Sequence, residues 1–253
     1  MSELFILNSI IIAWFALAVI VFITLFFFTA PYGRHTRKGW GPATNSRLGW
    51  VLMEAPAALV FAICFAFGLN ARTIPALVFL ALWELHYVHR AFIYPFTTRG
   101  EARRMTLLVV GMGLFFNTVN AYLNGRYIFN FSQPYSNEWL TDVRFIVGVV
   151  LFIIGFIINR EADTILRGLR NPGETGYKIP QGSMYRWISC PNYFGEILIW
   201  VGWAVATWSL AGLAFVVWTA ANLIPRARSN HVWYHEQFTD YPSSRKALIP
   251  GIW

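Results

Sequence analysis

The residues able to do chemistry are few and sit where charge is costly. Glu54, Glu84, His86, His89, Arg90, Asp163 and Glu196 lie inside or at the ends of long apolar stretches. A charged side chain in hydrocarbon costs roughly 2.5–3.5 kcal/mol even on insertion scales, so such groups face a bundle interior or a wet cavity and mark reaction or transport paths. Asn159, Asp163, Arg167 and Arg170 fall at i, i+4, i+8 and i+11, one face of a helix. That face offers amide and carboxylate groups to ribose or nicotinamide and guanidinium groups to phosphate. An amphipathic helix exit with an Asp163–Arg167 pair, worth about 0.3–0.5 kcal/mol, accounts for the same spacing. Asn192 and Glu196 form another i, i+4 pair just after Pro191, a residue suited to the first turn of a helix. Arg226, Asn230 and Tyr234 repeat the stride. Three polar faces converging on one membrane boundary predict a large polar ligand.

Glu54 lies deeper, in Trp50-Val51-Leu52-Met53-Glu54-Ala55-Pro56. Pro56 is placed to kink this helix and free backbone carbonyls. In the next apolar stretch Tyr87, Arg90 and Tyr94 share a face at i, i+3 and i+7. No metal is expected, since His86 and His89 lack a third ligand at convincing spacing. The chain has no G-x-G-x-x-G after a strand, no Walker sequence and no H-E-x-x-H.

These residues need apolar helices to carry them. Of 253 residues 57% are hydrophobic and 13% charged, against about 25% charged in a soluble domain. Seven stretches approach the ~20 residues needed to cross a bilayer, near 5–29, 48–69, 74–95, 105–124, 143–160, 193–209 and 210–226. The first reads as a retained span, since Glu3 and no Lys or Arg precedes it. Only Ser209 and Gly212 hint at a turn between the last two, which read either as a tight hairpin or as one broken unit. The expected fold is therefore an all-α integral membrane protein of seven transmembrane helices, with 1–253 as one domain. Although the net charge is +8, the basic residues cluster in loops between spans, which argues against a nucleic-acid partner. The loops 30–47, 96–104 and 160–192 and the tail from Arg226 onward hold sixteen of the twenty Lys and Arg residues, and these segments alternate to one side. The positive-inside rule makes that side cytoplasmic and the N-terminus external.

At these residues the chain resembles the steroid 5α-reductase family and is expected to be a bacterial member. The stretches are Tyr32-Gly33-Arg34-His35-Thr36, His86-Tyr87-Val88-His89-Arg90, Thr141-Asp142-Val143-Arg144-Phe145, Leu166-Arg167-Gly168-Leu169-Arg170-Asn171-Pro172-Gly173-Glu174, Tyr177-Lys178-Ile179-Pro180-Gln181-Gly182, Asn192-Tyr193-Phe194-Gly195-Glu196, Ala206-Thr207-Trp208-Ser209 and Asp240 to Pro250. They cover nearly the whole chain in the family's order. The resemblance implies a seven-helix membrane enzyme that uses NADPH to reduce the Δ4 double bond of a 3-oxosteroid, in the bacterial inner (cell) membrane with the cofactor entering from the cytoplasm. By motif, Glu54 and Tyr87 take the positions that grip the steroid carbonyl, and Trp50 and Met53 lie on the substrate side. Asn159, Asp163, Arg170, Asn192, Glu196, Arg226 and Tyr234 take cofactor positions, joined by Arg99, Lys178 and Asn230. The chain departs from the family at Met53, where Gln is usual, and at Arg228-Ser229-Asn230-His231, where the family is richer in His.

The implied chemistry places negative charge on the ketone oxygen as hydride reaches the β-carbon. Tyr87 donates to that oxygen while neutral, and Glu54 donates if burial keeps it protonated. The α-carbon is protonated afterwards. The alternatives are an S-adenosylmethionine-dependent membrane methyltransferase of the isoprenylcysteine type, a reductase of another enone lipid, a transporter using the ionisable residues as a relay, and a non-catalytic sterol-binding protein. The methyltransferase has less need of Glu54 and Tyr87. The transporter would show two matching halves, which this sequence lacks, and the binding protein has no use for the Asn/Asp/Arg faces.

Overall fold

The computed structural model describes residues 2–29, 35, 39–97, 104–170, 174 and 176–253. Seven long helices carry the described chain: α1 Glu3–Phe27, α2 Ser46–Ala66, α3 Ile74–Thr97, α4 Leu107–Phe131, α5 Val143–Gly168, α6 Pro191–Thr207 and α7 Leu210–Gln237. All but α6 are long and apolar enough to cross a membrane, so this is a multi-pass membrane protein. The 17 residues of α6 reach about 25 Å at ~1.5 Å per residue, the lower limit of the ~17–25 residues with which helices cross a bilayer. Two three-residue strands, β1 Ala43–Asn45 and β2 Arg104–Thr106, pair antiparallel just before α2 and α4.

The chain groups into two compact units. The first comprises Met1–Ile12, Pro31–Ile146 and Ser209–Ala211. Within it α2 and α4 run parallel in close contact, glycines on α4 admitting side chains of α2: a Cβ at Gly125 would fall 2.7 Å from the Cys64 Cβ, and one at Gly113 would overlap Met53. α3 runs antiparallel to α2. The Trp83 indole donates to the Ala57 carbonyl at 2.9 Å, and Phe61 stacks on Trp83 with centroids 4.3 Å apart. Glu3 at the start of α1 pairs with Arg126 of α4.

The second unit comprises Ala13–Ala30, Val147–Trp208 and Gly212–Trp253. Here α5 and α6 pack backbone to backbone through Gly148 and Gly155 on one helix and Gly195 and Gly202 on the other, each pair seven residues apart. A Cβ at Gly155 would lie 2.6 Å from the Ile199 amide nitrogen, and one at Gly195 would lie 2.6 Å from that of Asn159. Small residues at such crossings let membrane helices approach closely where lipid offers no hydrophobic drive to associate. α6 and α7 form an antiparallel hairpin, with the Trp200 and Phe215 rings 3.9 Å apart. The chain reverses at Trp208, in the left-handed region at φ 45°, which settles the hairpin over a broken unit. Trp218 of α7 donates to the Trp14 carbonyl at 2.9 Å.

Helices α5 and α7 outrun their predicted ends at 160 and 226, continuing to Gly168 and Gln237. Those ends and extensions carry the polar faces, and Asn159, Asp163, Asn230 and Tyr234 there are buried.

Candidate active site

In the first unit Glu54 is buried but not isolated. The Asn117 amide nitrogen on α4 donates to Glu54 Oε2 at 3.1 Å and to the Met53 carbonyl at 2.8 Å. Glu54 Oε1 lies 3.8 Å from Arg90 Nε. Glu54 therefore has an amide N–H and a guanidinium beside it, neighbours that its place in an apolar span does not announce.

Arg90 reaches this position through a local distortion of α3. The segment His89–Ile93 adopts a wide π turn in which Tyr94 N bonds to the His89 carbonyl. In that register the Arg90 carbonyl would look to residue 95, but Pro95 has no N–H to give. Trp50 takes the freed carbonyl through its indole nitrogen at 3.0 Å. The Arg90 guanidinium lies over the Trp50 and Tyr94 rings, 4.8 and 5.1 Å from their centroids. Trp50 therefore anchors α2 to α3 beside Glu54. The Met53 side chain packs on Gly113. Tyr87 is buried in the same unit, its ring 5.0 Å from Trp83 and edge-on to His86 at 4.9 Å.

In the second unit the buried groups form a connected set. Asn159 donates to the Asn192 carbonyl at 2.9 Å and to Glu196 Oε2 at 3.0 Å. Two acceptors around one nitrogen fix the amide's orientation. Glu196 Oε1 accepts from the Trp200 indole at 3.0 Å, and Asp163 Oδ1 accepts from Asn192 at 3.5 Å. The Tyr193 hydroxyl accepts from Arg226 Nε at 2.8 Å and from Asn230 at 3.3 Å. Tyr234 is buried and stacks on Tyr241 at 5.0 Å and 7°. Burial, with the charge of Asp163 adding to it, pushes the Tyr185 phenol well above its ordinary value, so Tyr185 stays a neutral donor and reaches the Ala162 carbonyl at 3.4 Å. Arg226 also lines a small cleft with Leu25, Thr29, Asn222 and Ser229.

The sequence-predicted residues thus divide. Asn159, Asp163, Asn192 and Glu196 are brought together, as are Arg226 and Asn230. Arg170 donates to the Gly176 carbonyl at 3.2 Å and lies over the Tyr177 ring at 5.6 Å, and exposed Lys178 pairs with Glu174 at 2.6 Å. Arg167 donates to Thr164 at 2.8 Å. Arg99 lies outside the described residues. Sequence reasoning gave no role to Asn117 or Tyr193, and placed Arg90 on a face with Tyr87 without pairing it to Glu54. A signal existed for the first: Asn117, Asn120 and Asn124 form a polar face in an otherwise apolar span.

The family described as 3-oxo-5-alpha-steroid 4-dehydrogenase matches residues 103–253. A steroid 5-alpha-reductase of Gossypium hirsutum is 40% identical over 243 residues, covering 94% of each chain. A 3-oxo-5-alpha-steroid 4-dehydrogenase 1 of Bos taurus is 40% identical over 256 residues, covering 100% of this chain and 99% of its own, and the Homo sapiens counterpart is 41% identical over 223 residues, covering 87% and 85%. These relatives are a plant and two mammals, so the expectations of a bacterial source and a bacterial inner membrane find no support. With matches of this extent, the chain belongs to the 3-oxo-5-alpha-steroid 4-dehydrogenase family, oxidoreductases acting on CH–CH groups.

Proposed function

We propose that this enzyme reduces the Δ4 double bond of 3-oxo-Δ4-steroids to 5α-3-oxosteroids with NADPH, residues 1–253 acting as one catalytic domain. The observation that carries the reading is the buried Glu54 carboxyl, held by Asn117 and Arg90 in the same unit as Tyr87, in a chain 40% identical over full length to a relative named for this reaction.

The donor set of the second unit fits NADPH. Asn159, Asn192, Asp163 and Glu196 are amide and carboxylate groups suited to a carboxamide and ribose hydroxyls. Arg226 offers a guanidinium to phosphate, with Tyr193, Asn230 and Tyr234 beside it; Arg170, Lys178 and Arg99 are assigned the nucleotide's outer charges. When bound, NADPH supplies a hydride for the carbon β to the ketone. The chain's own residues do the rest. Tyr87, whose phenol has an unperturbed pKa near ~10, donates to the ketone oxygen as charge grows there, a contribution of roughly 2.7–4 kcal/mol per well-placed donor. Glu54 is the second group at that oxygen and donates as the neutral acid; Arg90 and Asn117 hold it when ionised. Trp50 and Met53 flank the steroid on the Glu54 side, and the apolar helices exclude water from the reacting carbons.

For the membrane, we propose seven crossings with the basic loops in the cytoplasm. Helix directions support this: α2 and α4 are parallel, α5–α6–α7 alternate, and α1 runs with α7, as one-way alternation requires.

The test is to incubate purified enzyme with NADPH and a panel of 3-oxo-Δ4-steroids. Loss of NADPH absorbance should be matched mole for mole by a product two hydrogens heavier than the substrate. Methyl transfer from S-adenosylmethionine, with no steroid reduction, would overturn the reading.

A further inference from the structure

We propose that Asn117 is a positioning residue for catalysis: its amide, anchored on the Met53 carbonyl, fixes the orientation of the Glu54 carboxyl. The inference rests on the role given to Glu54 above. Asparagine is a poor helix former, and an amide inside an apolar span is tolerated only when its hydrogens are used. Both hydrogens of Asn117 have acceptors. One goes to the Met53 carbonyl at 2.8 Å and the other to Glu54 Oε2 at 3.1 Å. The first bond fixes the amide against the backbone of α2, so the second is aimed rather than adaptable. Both acceptors flank the same nitrogen, which settles which end of the amide faces Glu54.

The packing explains how α4 brings this amide within reach. Gly113 lies one turn before Asn117 on the same face, and the Met53 side chain fills the space its missing Cβ leaves. A glutamate has three rotatable bonds, and burial alone does not choose among its rotamers. Asn117 commits Oε2 to the role of acceptor, and Oε1 lies toward Arg90. The orientation of the Glu54 carboxyl is thereby set before substrate binds, which is the pre-organisation that a group at a developing oxyanion requires.

The experiment uses purified full-length enzyme with NADPH and the best 3-oxo-Δ4-steroid of the panel. Asn117→Leu keeps the side chain's approximate size and removes its hydrogens. Its kcat should fall about 10- to 100-fold, the scale of a misplaced catalytic group, with NADPH affinity within about twofold of wild type, since the nucleotide residues belong to another unit. Asn117→Asp should recover part of the turnover at acid pH, where its O–H can donate to Glu54. It should lose that turnover as pH rises, because the ionised side chain faces Glu54 with no hydrogen to give. In a Glu54→Gln background, Asn117→Leu should add less than twofold. The proposal is overturned if Glu54→Gln is inactive while Asn117→Leu turns over like wild type, or if Asn117→Asp keeps the wild-type pH profile. Wild-type turnover in Glu54→Gln itself would instead remove the role of Glu54 on which the proposal stands. If Asn117→Leu does not fold, the pH profile of Asn117→Asp decides alone.

Discussion

Gly195→Ala should separate two helices and loosen the nucleotide. The added Cβ would stand 2.6 Å from the Asn159 amide nitrogen, 2.7 Å from the Gly155 carbonyl and 3.0 Å from the Asn159 Cα. All three are backbone atoms in α5, so no side chain can turn aside. Ordinary contact begins near 3.4 Å, so the helices must part by close to an ångström at this crossing. Overpacking of this kind costs about 1–3 kcal/mol. The strain falls on the groups that hold the set together: Asn159 bonds to the Asn192 carbonyl and to Glu196 at 2.9 and 3.0 Å, and a displacement of that size takes both beyond hydrogen-bond distance. If half of about 2 kcal/mol is felt by the bound nucleotide, NADPH affinity falls roughly fivefold, a tenfold change being about 1.4 kcal/mol. Thermal denaturation and NADPH titration of the purified variant measure both effects. Wild-type melting together with wild-type affinity would refute the reasoning, because the backbone crossing would then be placing nothing.

Tyr87→Phe removes one hydroxyl from a buried ring. It should lower kcat by roughly 100-fold or more, the scale of one lost oxyanion donor, while stability stays close to wild type; an unchanged rate would leave the donor role to Glu54 alone. Asp163→Ala and Arg170→Ala should each weaken NADPH retention in a binding titration, Asp163→Ala more strongly, since Asp163 is buried against Asn192 whereas Arg170 is tied to the Gly176 carbonyl. Unchanged affinity in both would return that helix face to a structural role. Asp142, before α5, accepts from Arg144 at 2.9 and 2.7 Å, and this bonding holds its carboxyl down from 3.8 to about 2. A lowered folded-state value gives stability that is present above the unfolded value and is lost as pH falls through about 2. Melting curves of wild type and Asp142→Asn should therefore differ at neutral pH and converge on acidification; a gap that persists at the acid end would contradict this.

The spans were legible because hydropathy reads lipid-facing helices directly. α2 and α3 fall within a few residues of expectation, at Ser46–Ala66 and Ile74–Thr97 against 48–69 and 74–95. Helix ends were less so. Apolar windows stop at the first polar residues, whereas α5 and α7 run on because Asn159, Asp163, Asn230 and Tyr234 are buried by neighbours rather than by lipid. β1 and β2 have three residues each, too few for any alternation to register. The Asn159–Asp163–Asn192–Glu196 set was legible from helical stride alone. The surroundings of Glu54 were not, since Arg90 and Asn117 lie 36 and 63 residues away, and the π turn that frees the Arg90 carbonyl follows from Pro95 only once the register is known. The glycine crossing was in the sequence as two pairs at spacing seven, a pattern that needs the partner helix to be read.

The central claim, that a hydride reaches the β-carbon of a ketone braced by Tyr87 and Glu54, is tested most directly by following the hydrogen. Enzyme supplied with NADPH deuterated at the transferring position of the nicotinamide should place one deuterium at C5 of the steroid product and none at C4, with Tyr87→Phe slowing that transfer without redirecting it. Deuterium at C4, or a fully unlabelled product, would contradict the account.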